Sequence, residues 1–255
     1  ERISDRSVLR LIRGWLKAPI VERDKCGQDK IHRPKRGTPQ GGVLSPLLSN
    51  LYLDAFERLF NNPNGPAHWA QARMIRYADD FVIIAERISK RLLDWIEQTL
   101  EKRFELKLNR SKTQIVNMSN KGSTLEFLGY TFRYDRSQYN RSSKYLNVFP
   151  SEKSQASLRA KIRYQTSQKY CWRDLASQIQ VINWQLRGWG NYFNYGYPIK
   201  AYRRADYYVR ERMVNWVRRR SQRPMKRPAE GWHPWFRAQG LDPMAVFKRS
   251  LTVNV

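Results

Sequence analysis

Met74-Ile75-Arg76-Tyr77-Ala78-Asp79-Asp80-Phe81-Val82-Ile83-Ile84 decides how the rest of the chain is read. Apolar runs at 73–76 and 81–85 flank two adjacent aspartates, which predicts a β-hairpin with carboxylates at its tip. Neighbouring side chains at such a tip diverge, and two like charges so close repel. A divalent cation removes that cost. Mg²⁺ takes few protein carboxylates and fills its octahedron with water and substrate phosphates. Two such ions stabilise the attacking and leaving oxygens of a phosphoryl transfer. The same pair also fits a solvated turn, where aspartate is common, so its surroundings must decide.

Working outward, residues 5–18 predict a helix capped by Asp5, with Val8, Leu11, Ile12 and Trp15 on one face. Residues 22–36 are polar and basic, a loop or short hairpin. Gly37-Thr38-Pro39-Gln40-Gly41-Gly42 is a glycine-rich loop. Ser45 then caps a helix with Pro46 at its first position, along which Leu44, Leu47, Leu48, Leu51, Ala55 and Leu59 recur at helical spacing. Beyond the carboxylate hairpin, 89–105 predicts a helix with Leu92, Leu93, Ile96, Leu100 and Phe104 inward. Lys112–Met118 and Leu125–Arg133 predict strands. From Ser151 helical patterns dominate, at 152–168, 172–188, 204–220 and 242–250. Mixed α/β followed by all-α predicts two domains joined near 135–152.

Charge supplies the second constraint. The 255 residues carry a net +26, with an isoelectric point near 10.5. So large an imbalance opposes compaction and points to a polyanionic partner, nucleic acid first. The shorter C-terminal part, 151–255, is the denser in positive charge. There is no apolar run long enough for a transmembrane helix and no apolar signal-peptide core, so no membrane partner is expected. Cys26 and Cys171 cannot make a disulfide framework or a cysteine-rich zinc site. An intracellular, cytoplasmic setting fits. His32, His68 and His233 are scattered and offer no nuclease metal site.

Four blocks, in order, carry a resemblance. Tyr77-Ala78-Asp79-Asp80 with its flanks resembles the catalytic hairpin of reverse transcriptases. Arg36-Gly37-Thr38-Pro39-Gln40-Gly41-Gly42-Val43-Leu44-Ser45-Pro46-Leu47-Leu48-Ser49-Asn50 resembles the loop and helix after the first catalytic strand of bacterial group II intron reverse transcriptases. Leu108–Thr113 and Leu125-Glu126-Phe127-Leu128-Gly129-Tyr130 look like the next two blocks. Asn183-Trp184-Gln185-Leu186-Arg187-Gly188-Trp189-Gly190-Asn191-Tyr192-Phe193 is similar to the signature of the maturase-specific domain of these intron-encoded proteins. The resemblance implies an α+β fold: a reverse-transcriptase palm, an antiparallel sheet with helices, followed by an α-helical thumb or maturase domain. It places a partial palm at 1–135, the helical domain at 152–235 and a tail at 236–255.

It also implies roles. Asp79 and Asp80 become metal ligands for Mg²⁺ and, with Lys112, catalytic residues, Asp79 being the better candidate for direct ligation. Lys112 would place a positive charge beside the departing pyrophosphate or act as a general acid. Gly37, Pro39, Gln40, Gly41 and Tyr77 become substrate-binding residues, with Gln40 in the incoming-nucleotide pocket. Leu125–Tyr130 contacts the primer end in the family. The implied partners are group II intron RNA, an RNA template with a DNA primer, and dNTPs. A second copy of the chain, giving a homodimer, is kept among the partners, since the sequence does not fix the oligomeric state. The family's third carboxylate lies on a strand upstream of the 5–18 helix, and Asp5 reads as a cap and not as its substitute. The chain therefore reads as a fragment, with little or no polymerase activity expected of it alone.

In the helical half, Leu186–Trp189 predicts a helix end followed by a turn. Trp184, Trp189 and Phe193 are read as core builders. RNA contact is expected from Arg187, Arg203, Arg204, Arg210, Arg218, Arg219 and Arg220, with Arg212 on the same basic surface. Trp232, His233, Pro234, Trp235 and Phe236 predict a docked segment. The leading function is an RNA-directed DNA polymerase of a mobile group II intron with a splicing-helper role. The second is a non-enzymatic maturase that stabilises folded intron RNA. A reverse transcriptase of a retron or phage-defence system is a third, and the Arg187–Phe193 run argues against it.

Overall fold

The computed structural model describes residues 4–23, 28–32, 45–137, 143–221, 223 and 225–247. The chain divides into two compact units, Glu1–Thr113 and Gln114–Val255.

In the first unit, helix α1 (Arg6–Lys17) starts where Asp5 accepts from the backbone N–H groups of Ser7 and Val8, at 2.7 and 3.4 Å. No residue of α1 is buried. Strands β1 (Ile20–Arg23) and β2 (Asp29–His32) pair antiparallel, the hairpin alternative for that region. Helix α2 (Ser45–Phe60) buries Leu53, Phe56 and Phe60, while Leu47 and Leu51 of the expected leucine face stay exposed. The helix is apolar on two sides. Its neighbours cover the one with the two phenylalanines, whose rings remove more area from water. Helix α3 (Pro66–Trp69) leads into β3 (Arg73–Tyr77), which pairs antiparallel with β4 (Asp80–Ile84). Helix α4 (Lys90–Glu97) passes into a π-helical stretch, Gln98–Arg103, and buries Leu92 and Leu100, with Phe104 just beyond. Phe56 stacks on Trp95 and meets Phe81 and Phe104, so α2, α4 and the β3–β4 hairpin share one aromatic core.

Residues 112–118 do not form the expected strand. Asn109 turns the chain instead, its carbonyl accepting from the N–H groups of Lys112 and Thr113 at 3.0 Å. Ile115 is exposed. An alternating pattern makes a strand only where a neighbouring edge takes up its hydrogen bonds, and here the local turn takes up those of Lys112 and Thr113.

The second unit opens on a three-stranded antiparallel sheet: β5 (Leu125–Phe127), β6 (Tyr130–Arg136) and β7 (Lys144–Pro150), in that order. These strands share a unit with the helices that follow, whereas the sequence division at 135–152 groups 125–133 with the first part. Helices α5 (Glu152–Gln165), α6 (Leu175–Tyr192) and α7 (Ile199–Arg219) pack around Leu158, Ile162, Ile182, Leu186, Met213 and Trp216. Helix α8 (Trp232–Ala238) buries Phe236. The short helical turn Met244–Phe247 buries Met244, so the aromatic tail is docked as expected.

Helix α6 runs through Gly188 and Gly190 without the predicted turn. A glycine inside a helix costs about 1 kcal/mol against alanine. Here tertiary contacts outweigh it: Leu186 and Phe193 are buried, and the Tyr202 hydroxyl donates to the carbonyls of Gly190 and Phe193 at 2.9 and 3.1 Å. Trp189 is half-buried against Phe193. Trp184, read as core from sequence, is instead 60% exposed.

Candidate active site and RNA-binding surface

The β3–β4 hairpin places the first set of candidate residues. Cross-strand pairing joins Tyr77 to Asp80, leaving Ala78-Asp79 as a two-residue turn. Such tight turns need positive φ, and Ala78 takes it at +55°. A non-glycine residue there costs roughly 1–2 kcal/mol, so something must hold the turn. Arg76 does. Its guanidinium donates to the Ala78 carbonyl at 3.0 Å, to Asn50 Oδ1 at 3.0 Å and to Glu57 Oε2 at 3.1 Å, anchoring the tip to α2. Alternation does the rest. Met74, Arg76, Phe81 and Ile83 turn towards α2 and α4, while Tyr77 and Asp80 share the opposite face with Ile75 and Ile84. Tyr77, Asp79 and Asp80 are all exposed.

This disposition suits a Mg²⁺ ion held by one or two carboxylates and completed by water and phosphate oxygens. Among the described residues there is no group of three His, Cys, Asp or Glu side chains that could enclose a metal. The hairpin tip thus carries two exposed carboxylates. Lys112 lies in the exposed Asn109 turn of the same unit. Gly37, Pro39, Gln40 and Gly41 lie outside the described residues.

The second unit carries a different site. The β5–β6 turn, Leu128-Gly129, has φ of +50° and +78°, the doubly positive geometry of a tight hairpin. It is tied down on two sides. The Gly129 carbonyl accepts from Ser151 N–H at 2.8 Å and Ser154 Oγ at 2.9 Å, and the Leu128 carbonyl accepts from the Tyr192 hydroxyl at 3.0 Å. The Tyr130 hydroxyl donates to the Tyr192 carbonyl, and burial holds its pKa above the usual phenol value. Beside this turn is a cleft of about 510 Å³ lined by Glu126, Phe127, Lys153, Ser157, Lys161 and Trp189. Its basic and hydroxyl-bearing wall suits a phosphate backbone.

Of the arginines expected to meet RNA, Arg203, Arg204, Arg218, Arg219 and Arg220 are exposed on or just past α7. Arg203, Tyr207, Arg210 and Arg218 recur at helical spacing. Arg210 stacks over Tyr207 at 5.6 Å, and Arg218 over Trp232 at 5.7 Å. Two others are engaged within the protein. Arg187 pairs with Asp242 at 2.7 Å, fastening the C-terminal segment. Arg212 donates to Thr166 Oγ1 at 2.9 Å and to the Thr166 and Arg163 carbonyls, closing the C-terminus of α5. Sequence reasoning missed the exposed aromatic group on the α5–α6 connection, where Trp172 is 78% exposed. Its signal was present in Lys169-Tyr170-Cys171-Trp172-Arg173, where basic and aromatic residues interleave.

A carboxylate-tipped hairpin on a helical support, followed in sequence by a basic helical unit, suits the class of template-dependent nucleic-acid polymerases. Comparison with known families gives the same class. The reverse transcriptase (RNA-dependent DNA polymerase) family matches residues 2–132, and the group II intron maturase-specific domain matches residues 155–235. The chain belongs to the reverse-transcriptase family, in its group II intron-encoded, maturase-bearing branch. It is 30% identical to Protein YkfC of Escherichia coli (strain K12), over 73% of this chain and 49% of that protein. It is 26% identical to the group II intron-encoded protein LtrA of Lactococcus lactis subsp. cremoris, over 53% of this chain and 31% of LtrA. The chain thus spans about half the length of the first relative and about a third of the second. Among the described residues no helix is long and apolar enough to cross a membrane.

Proposed function

We propose that this chain carries the catalytic hairpin and the RNA grip of an RNA-directed DNA polymerase that also assists splicing of a group II intron. The observation that carries the reading is the Arg76-anchored hairpin presenting Asp79 and Asp80 side by side to solvent. In this reading the palm portion is 1–135, the thumb and maturase portion 152–235, and 236–255 a tail. Asp79 would hold Mg²⁺ directly and Asp80 would support or orient it. The ion, when bound, neutralises charge on the phosphates of the incoming dNTP. Tyr77, on the face of Asp80, packs against the nucleotide or primer. The primer 3′-hydroxyl gives its proton to water as its oxygen bonds to the α-phosphorus, the α–β phosphoanhydride breaks, and pyrophosphate leaves with the Lys112 ammonium supplying positive charge beside it. Gly37, Pro39, Gln40 and Gly41 form the nucleotide side of the pocket. The cleft beside Leu128-Gly129 takes the primer strand along Lys153 and Lys161, and the arginines of α7 hold structured RNA.

By the family resemblance a third carboxylate joins Asp79 and Asp80 in a complete site, and among the described residues no group of three such side chains is gathered. Primer extension on an RNA template, with Mg²⁺ and dNTPs, tests this. The 255-residue chain should bind the primer–template yet extend it little or not at all. Extension by the chain alone that disappears in Asp79→Ala would mean that these 255 residues hold a complete site. Tight binding to intron RNA with no extension even when an acidic strand is supplied would favour the non-enzymatic maturase.

A further inference from the structure

The connection between α5 and α6 has two faces, and they differ in character. Its inner face is pinned. The Tyr170 carbonyl accepts from the buried Trp216 indole at 3.3 Å. The Arg173 guanidinium donates to Gln165 Oε1 at 3.0 Å and Gln178 Oε1 at 3.4 Å, and the fully buried Gln178 donates to the Gln165 carbonyl at 3.0 Å. The Thr166 hydroxyl, also buried, donates back to Ile162 at 2.8 Å. This segment is therefore built, and its outward side chains are held in fixed places.

The outer side chains of this connection are aromatic and cationic, and Arg173, held from within by the two glutamines, also lies over the rings. Trp172 is 78% exposed, the highest value among the exposed large apolar side chains of the described residues, and Tyr164 is 54% exposed. Tyr164 meets the ring of Tyr170 edge-on at 5.4 Å. The Arg173 guanidinium lies 4.0 Å over Tyr170 and 5.7 Å from Trp172, and the Lys169 ammonium lies 5.8 Å from Tyr170. Leaving an indole in water forgoes the free energy of its burial, and none of the described residues of its own unit covers it. The partner that fits must have a flat apolar face and carry negative charge. An apolar protein surface would satisfy the rings and leave the cations desolvated. Duplex RNA would satisfy the cations but hides its base faces inside the stack. An unpaired nucleobase with its phosphates satisfies both.

We propose that Tyr164, Lys169, Tyr170, Trp172 and Arg173 form a stacking platform for unpaired bases of RNA, with Trp172 as its principal ring. The platform rests on the RNA-binding reading given above and adds to it a preference for single-stranded segments. It is separate from the arginine stripe of α7, which addresses phosphates irrespective of pairing.

The test uses the full chain and two probes of equal phosphate number, an unstructured CA-repeat RNA and a blunt RNA hairpin closed by a non-nucleotide linker, which leaves it no unpaired base. Trp172→Ala should lower affinity for the unstructured RNA by about 5- to 150-fold, the range for loss of one base–aromatic stack, with Trp172→Phe recovering most of it. Hairpin affinity and its salt dependence should stay those of the parent. Because Trp172 is exposed, its truncation should not move the melting temperature, which checks the fold. Equal affinity of Trp172→Ala and parent for the unstructured RNA, with hairpin binding intact, would overturn the platform alone. An equal loss on both probes would also overturn it. A parent that binds neither RNA would remove the RNA-binding reading itself, and the platform with it.

Discussion

Gly129 joins the sheet of the second unit to its helices, and a single methyl group there tests that junction. At φ +78° the residue lies where an L side chain costs roughly 1–2 kcal/mol. A Cβ at this position would also stand 2.8 Å from Ser154 Oγ and 3.2 Å from Phe193 Cζ. Neither neighbour is free to retreat. Ser154 is hydrogen-bonded to the Gly129 carbonyl and to Ser151, and Phe193 is buried between Tyr130 and Trp189. Overpacking against such neighbours adds about 1–3 kcal/mol. The stiffer unfolded chain of the alanine variant returns about 0.5 kcal/mol. A net loss of about 1.5–4.5 kcal/mol follows for Gly129→Ala, or a melting temperature lower by about 5–15 °C for a unit of this size. Calorimetry on the second unit's transition measures it. Adding Ser154→Ala supplies the cycle: the serine change should cost less in the Gly129→Ala background than alone, because it removes one side of the clash. A Gly129→Ala variant that melts with the parent would refute the reasoning about this turn.

Gly188, in the same signature run, behaves oppositely, since a Cβ there meets nothing within 4 Å and the residue is helical; Gly188→Ala should raise the urea midpoint by the equivalent of about 0.5–1 kcal/mol. Arg76→Ala should release the Ala78-Asp79 turn, destabilising the first unit by about 1–3 kcal/mol as three acceptors lose a charged donor; in a polymerase-competent form the proposed function predicts that kcat falls more than KM rises, and unchanged kinetics would remove Arg76 from the role of positioning residue. Burial lifts the Asp206 carboxyl above its ordinary 3.8, although it accepts from Met244 N–H and faces Arg210, His233 and Arg237. The folded unit therefore holds that proton more tightly than the unfolded chain. Its stabilising contribution is full below the ordinary value and is lost as pH rises through the raised one. Asp206→Asn, which keeps an acceptor for Met244, should flatten the stability profile over that window and match or exceed the parent at neutral pH in a urea titration. A variant weaker than the parent there would mean that attraction to the three basic groups outweighs burial.

Local patterns made the carboxylate hairpin legible. Expected at 73–76 and 81–85, its strands form at 73–77 and 80–84, because alternation and a tight turn are properties of adjacent residues. Asp5 as a cap is legible for the same reason. What the sequence hid depends on distant partners. Arg187 and Arg212 read as free positive charge, but Asp242 and Thr166, 55 and 46 residues away, claim them. The glycines of α6 read as a helix end until Tyr202 and the core packing around Leu186 and Phe193 are in place. Arg76 read as one more strand residue. Its three acceptors, on α2 and in the turn, make it the support of the site. The candidate carboxylates were thus visible in the sequence, and the residue that holds their turn was not.

The account divides chemistry from grip, with carboxylates on the first unit and arginines on the second. The measurement that tests this most directly is the salt-dependent affinity of the chain for an RNA template–DNA primer, taken for Asp79→Ala and for Arg218, Arg219 and Arg220 all changed to Glu. The account predicts parental affinity and salt slope for Asp79→Ala. For the triple variant it predicts a loss of at least about 10-fold and a slope shallower by about 2–3, as phosphate contacts disappear. A triple variant that keeps the parental affinity and slope, or an Asp79→Ala variant that loses them, would contradict it.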